Sequence, residues 1–131
     1  MSHHIATVAI EQMLVAGLEL IMTDPTRGAS GLDWIVETEA DYVMGVPTHA
    51  MDVLAELRRR DIANLGNVKT FYMAGSAILR DIAQRFMSLG ITPQNVYGMT
   101  ENGSHNYTRP SDTADTIVST CGPESSGAWR A

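Results

Sequence analysis

The chain has one cysteine, Cys121, among 131 residues. No internal disulfide can form and no CxxC pair is present to bind a metal, which fits a reducing, cytoplasmic setting. Positive charge is also scarce. Nine Lys and Arg stand against fifteen Asp and Glu, for a net charge of −6. That balance disfavours nucleic acid as a partner, since phosphate-backbone binding relies on clustered cations. The one basic cluster, Arg58-Arg59-Arg60, falls at the expected end of a helix, where cations complement the helix dipole. Long apolar runs are missing as well. Ile5 to Leu14 is apolar but broken by Glu11 and Gln12, and lacks the basic leader of a targeting segment and the length of a transmembrane segment.

What is present supports a packed core. Hydrophobic residues make up 44% of the chain and charged residues 18%, and the length allows one domain at most. Ile5, Val8, Ala9, Met13 and Ala16 recur at helical spacing and predict a buried helix ending at Gly17. Leu18 to Thr23 reads as a short strand, followed by the loop Asp24 to Gly28. Ser30 and Asp33 predict a capped helix with Leu32, Ile35 and Val36 inward. Asp41 to Val46 reads as the next strand. Pro47 opens a helix with Met51, Leu54 and Leu57 on its apolar face and Glu56 facing water. Val68 to Ala74 is a third strand, and Ser76 is expected to cap a helix bearing Leu79, Ile82, Ala83 and Phe86. Gly90 ends that helix and Pro93 leads into a fourth strand. One helical stretch separates each pair of strands, so the expected architecture is α/β, a parallel sheet with crossover helices. Beyond Glu101 the pattern fades, with Thr116 to Thr120 a possible short strand and the last residues fraying.

The three strand ends after Val46, Ala74 and Met99 are rich in glycine and hydroxyl residues and open at one sheet edge. Ligands of open α/β sheets collect at that edge. The last of them, Asn95 to Gly103, is the most informative. Val96 and Tyr97 favour a strand, and Gly98 permits close approach to the backbone. Thr100 and Glu101 then offer a hydroxyl and a carboxylate, suited to a phosphate oxygen and a hydrated divalent cation. A strand running into an ordinary polar loop fits the same residues.

Tyr97-Gly98-Met99-Thr100-Glu101, with Asn95 two residues before the Tyr-Gly pair, resembles the core motif of the adenylate-forming (AMP-binding) acyl-CoA synthetase superfamily. Gly45-Val46-Pro47-Thr48 resembles the family's Gly-Val-Pro-Thr segment. Ala74-Gly75-Ser76-Ala77-Ile78-Leu79 resembles its Ser-Gly-Gly-Ala-Pro-Leu segment, with Ser76 for the second glycine and Ile78 for the proline. Met1-Ser2-His3 before an apolar helix is similar to a segment whose histidine lines the acyl pocket, although the pair His3-His4 also fits a purification-tag remnant. Thr120-Cys121-Gly122 resembles the family's Thr-Val-Gly. The likeness covers about residues 2–122, part of a large N-terminal domain, and stops at 123–131, read as a frayed or aberrant tail.

The resemblance implies roles. Thr100 would contact the nucleotide phosphate and Glu101 would help hold Mg²⁺. Gly75, Ser76, Ala77, Asn95, Tyr97, Gly98 and Met99 would join Thr100 in binding ATP or AMP. His3, Val46, His49, Ala74 and Met99 would line the pocket for a small-molecule carboxylic acid, with Met44 beside them and His105 and Tyr107 bordering it. The parent reaction would be carboxylate plus ATP to acyl-adenylate, then transfer to coenzyme A, as in fatty acid metabolism. The family's Pro-Lys-Gly phosphate loop is not in this sequence, and Lys69, the only lysine, falls in a strand rather than in a catalytic domain. The chain is therefore expected to be inactive without the missing parts of the parent enzyme. A stand-alone nucleotide- or acyl-binding Rossmann-like module without catalysis is the alternative, as is a purely structural domain.

Overall fold

The structure is a computed structural model that describes residues 4–101 and 103–123. Helix α1 (His4–Ala16) is followed by a single 3-10 turn (Pro25–Arg27) and α2 (Gly31–Glu37). Then come β1 (Tyr42–Gly45), α3 (Pro47–Arg59), β2 (Thr70–Ala74), α4 (Arg80–Ser88), β3 (Thr92–Met99), β4 (Gly103–Tyr107) and α5 (Ala114–Ser119). The sheet order is β1-β2-β3-β4. The first three strands are parallel and β4 is antiparallel to β3. The expected α/β crossover architecture is thus found, with an added antiparallel edge.

Strand alternation divides the molecule into two unequal layers. On one face, Val43, Phe71 and Met73 meet helices α2 to α4 through Leu32, Ile35, Val53, Leu57, Ala83 and Phe86, with Val118 of α5 at the margin. The Phe71 and Phe86 rings lie 4.9 Å apart and tilted by 54°, a favourable aromatic contact in fully buried surroundings. On the other face α1 is the only helix among the described residues. Val8 packs on Tyr72 and Val96, flanked by Tyr42, Met44, Ala74 and Tyr107.

Several expectations are corrected. Leu18 to Thr23 is not a strand; it has no sheet partner among the described residues, and Leu18, Ile21 and Met22 are exposed. Helix α1 is not buried all round, since Val8 is its only buried residue while Leu14 and Val15 are 74% and 88% exposed. Ser76 does not cap α4. That helix starts at Arg80 after Leu79, which is exposed, and Ile78 takes the inward place. Val36 is also exposed. Thr116 to Thr120 is not a strand: α5 forms there because the Thr113 hydroxyl accepts from the Thr116 N–H at 3.2 Å. Lys69 is exposed and precedes β2 rather than lying within it.

The capping box at α2 forms as expected. The Ser30 hydroxyl accepts from the Asp33 N–H at 3.2 Å, and Asp33 accepts from the Ser30 N–H at 2.8 Å. It belongs to a larger network. Arg60, at the end of α3, forms an ion pair with Asp33 and another with Glu56 at 2.7 Å, and Arg59 pairs with Glu56 at 2.8 Å. Glu56 is accordingly half-buried, not a freely solvated carboxylate.

Candidate functional site

The carboxyl ends of β1, β2 and β3 share one edge because the three strands are parallel. Gly45 pairs with Met73 and Ala74 with Val96. Strand β3 therefore overhangs its neighbour: Tyr97, Gly98 and Met99 pair only with β4. Tyr97 and Met99 are exposed there, and Thr100 and Glu101 follow in an exposed turn. The hydroxyl and carboxylate thus stand at the tip of the longest parallel strand.

Gly98 needs its missing side chain for a different reason than ligand approach. A Cβ there would lie 2.2 Å from the Gly103 carbonyl oxygen and 2.8 Å from the Ser104 Cα. The space is filled by the chain's own β4. This close crossing coincides with an irregularity in register: Tyr97 faces Asn106 and Gly98 faces Ser104, leaving His105 unopposed. Such bulges re-aim a side chain next to a strand end. His105 Nδ1 lies 2.7 Å from Asn106 Oδ1, and Asn106 Nδ2 donates to the Gly122 carbonyl at 3.2 Å. Since that Nδ2 is the donor, Oδ1 accepts and His105 carries a proton on Nδ1.

At the β1 end, Gly45 is buried and a Cβ on it would stand 3.1 Å from His49 Nδ1. The imidazole occupies that space, in the first turn of α3, and Nδ1 accepts from the Val46 N–H at 3.5 Å. A Cβ on Gly75 would meet Val46 Cγ1 at 3.5 Å, so the β1 and β2 loops adjoin. Gly75, Ser76 and Ala77 are exposed beside them.

The structure therefore brings Val46, His49, Ala74, Gly75, Ser76, Ala77 and Tyr97 to Glu101 to one edge. Asn95 lies deeper, 5% exposed on the helix-covered face beside Met73. Its Nδ2 donates to the Thr120 carbonyl at 3.0 Å, and its Oδ1 has no partner among the described residues. Thr108, fully buried, ties β3 further: its hydroxyl accepts from the Asn95 N–H at 2.8 Å. Asn106 and Thr108 were not legible as site-shaping residues, because they sit in a polar stretch with no helical or strand pattern. His3, the fraying of residues 124–131, and Asn102 lie outside the described residues.

The perturbed titrations belong to the scaffold, not to this edge. Arg60 beside Asp33, helped by the Ser30 N–H and hydroxyl, holds that carboxyl well below the usual range. Burial pushes the Tyr42 hydroxyl up to about 12 and raises that of Tyr72, whose oxygen lies 3.0 Å from the Ser104 hydroxyl. Among the described residues no group of three or more His, Cys, Asp or Glu could enclose a metal ion. A single carboxylate still fits Mg²⁺ that takes its other oxygens from phosphate and water. No helix among the described residues is long and apolar enough to cross a membrane.

A mostly parallel α/β sheet with a Thr-Glu overhang at its carboxyl edge is an open α/β domain of the kind whose ligands collect beyond the carboxyl ends of the strands. The comparisons are more specific. A family model described as AMP-binding enzyme matches residues 1–128, and the chain belongs to that family. No curated protein sequence matches it. Among solved structures, the N-terminal domain of FACL13 from Mycobacterium tuberculosis superposes with a TM-score of 0.73 at 16% identity, covering 92% of this chain and 30% of that one. O-succinylbenzoate coenzyme A synthetase (MenE) from Bacillus subtilis, in complex with AMP, gives 0.72 at 15% identity, covering 93% and 24%. A long-chain-fatty-acid-CoA ligase (FadD1) from Archaeoglobus fulgidus gives 0.61 at 13% identity, covering 94% and 32%. At these identities the likeness is one of fold. The chain spans roughly a quarter to a third of these structures' length.

Proposed function

We propose that this chain is the part of an adenylate-forming acid–CoA ligase that presents the phosphate and acid contacts, and that it performs no adenylation by itself. The observation that carries this reading is the β3 overhang. It sets Thr100 and Glu101 at the edge shared with the Gly45–His49 and Gly75–Ala77 turns.

In the parent reaction the acid's carboxylate oxygen attacks the α-phosphorus of ATP and pyrophosphate leaves. The coenzyme A thiol then attacks the acyl carbon and AMP leaves. Thr100 donates its hydroxyl to a phosphate oxygen. Glu101 would hold Mg²⁺, which would supply positive charge against that of the departing pyrophosphate. Gly75, Ser76 and Ala77, with Tyr97 to Met99, border the nucleotide. Val46, His49, Ala74 and Met99 border the acid. Asn95 acts from beneath, through the strand that carries the motif. The cations that such chemistry requires are absent from this sequence: no Pro-Lys-Gly loop is present, and Lys69 lies before β2, not at the ligand edge. A cytoplasmic setting supplies ATP and coenzyme A.

The test is a titration of the 131-residue chain with AMP and Mg²⁺, followed by backbone amide NMR, together with a pyrophosphate-release assay. The expected result is perturbation of amides at 75–77 and 97–101 without carboxylate-dependent pyrophosphate release. No response at those amides counts against the site, and measurable release counts against the inactivity. AMP binding without any response to carboxylic acids favours a nucleotide-binding module over a ligase part.

A further inference from the structure

We infer that His49 donates a hydrogen bond to the acid, and that the acyl group accordingly carries an oxygen acceptor rather than being plain hydrocarbon. This rests on the acid-activating reading above and adds the substrate's chemistry to it. The imidazole is positioned twice over. Gly45 leaves it room, since a Cβ there would crowd His49 Nδ1 at 3.1 Å and His49 Cβ at 3.3 Å. The Val46 N–H is directed at Nδ1. A neutral imidazole that accepts at Nδ1 carries its proton on Nε2. His49 is exposed at this edge, and Nδ1 is the ring nitrogen turned to the chain's own backbone.

The distance along the edge says which ligand it meets. Strands β1 and β3 are separated by β2, hence by two strand spacings, roughly 10 Å. Phosphates held at Thr100 and Glu101 leave the β1 end for the distal part of the acid. Met44, Val46 and Ala74 there are apolar; the Ser76 hydroxyl in the adjoining β2 turn is a second donor, and the His49→Phe variant separates the two.

The experiment uses the 131-residue chain with ¹⁵N-labelled histidine at about pH 8. Long-range ¹H–¹⁵N spectra report the tautomer. The probes are 4-oxopentanoate and pentanoate, which differ by one carbonyl oxygen. The expected result is the Nε2–H form of His49, a shift of its ring signals by 4-oxopentanoate, and about fivefold tighter binding of that acid than of pentanoate. His49→Phe, with an otherwise unchanged amide spectrum, should abolish the preference. An Nδ1–H form, no response of His49 to either acid, or a preference that survives His49→Phe overturns the proposal. AMP added to the same samples reports separately at amides 97–101, so loss of the nucleotide reading is distinguishable from loss of this one.

Discussion

At the scale of single residues, the site and the scaffold respond to substitution in opposite ways. Glu101 is exposed in the turn beyond β3, so its charge has no part in packing. In the complete parent enzyme, Glu101→Gln should lower acyl-adenylate formation roughly 10²-fold, about 2.7 kcal/mol on the chemical step, with thermal stability unchanged. Glu56 is a poor control for that experiment because it accepts from Arg59 and Arg60; Asp52, exposed on the same helix, is a better one and should be silent as Asn. Thr108 is the converse case. Its hydroxyl answers the buried Asn95 N–H, and a valine fills the same volume without an acceptor. Thr108→Val should therefore cost about 1–3 kcal/mol in urea unfolding, the range for leaving a buried donor unpaired. An unchanged midpoint would show that the backbone of β3 finds another partner.

At the scale of elements, local chemistry was legible and long-range pairing was not. The Ser30–Asp33 box was readable because both partners lie within one helical turn. The same holds for Pro47 at the start of α3. Gly98 was readable as a place of close backbone approach, but the approaching group was not, since Gly103 and Ser104 reach it only through the β3–β4 reversal. Strand β4 escaped notice because Gly-Ser-His-Asn-Tyr has no apolar alternation; its place comes from pairing with β3. Leu18 to Thr23 shows the reverse, a strand-like composition with no neighbour to pair with. The hidden part of the capping box was its third member, Arg60, which arrives from another helix. That contact has a pH signature. Because Arg60, and after it Ser30, depress the Asp33 carboxyl, its contribution is fully present above the unfolded carboxylate range, about pH 4, and is lost as pH falls toward the folded value. Thermal melts of the wild type and Asp33→Asn should differ by a constant amount above about pH 4, with the wild type the more stable, and draw together progressively as pH falls below it. A constant difference from pH 3 to 7 would mean that the pair contributes nothing through ionisation.

At the scale of the whole molecule, the two faces of the sheet are held unequally. Among the described residues, fourteen buried ones form the core under the α2 to α4 side, whereas three form the core under α1. Apolar residues at the end of α1, Leu14 and Val15, and in the segment after it, Leu18, Ile21 and Met22, are exposed among the described residues. An apolar patch of this kind, in a chain spanning a quarter to a third of its solved relatives, favours association. Local stability follows buried contact, so α1 should open at a lower free energy than β2 and β3. Hydrogen exchange of the isolated chain should show the amides of residues 8–16 exchanging well before those of 71–74 and 94–96. Sedimentation velocity should show association that rises with concentration and falls in a Leu14→Glu, Val15→Lys variant. That variant should leave the exchange of β2 and β3 unchanged, because neither residue is buried. A clean monomer at all concentrations, with α1 and the sheet exchanging as one cooperative unit, would show that the thin layer is as secure as the thick one.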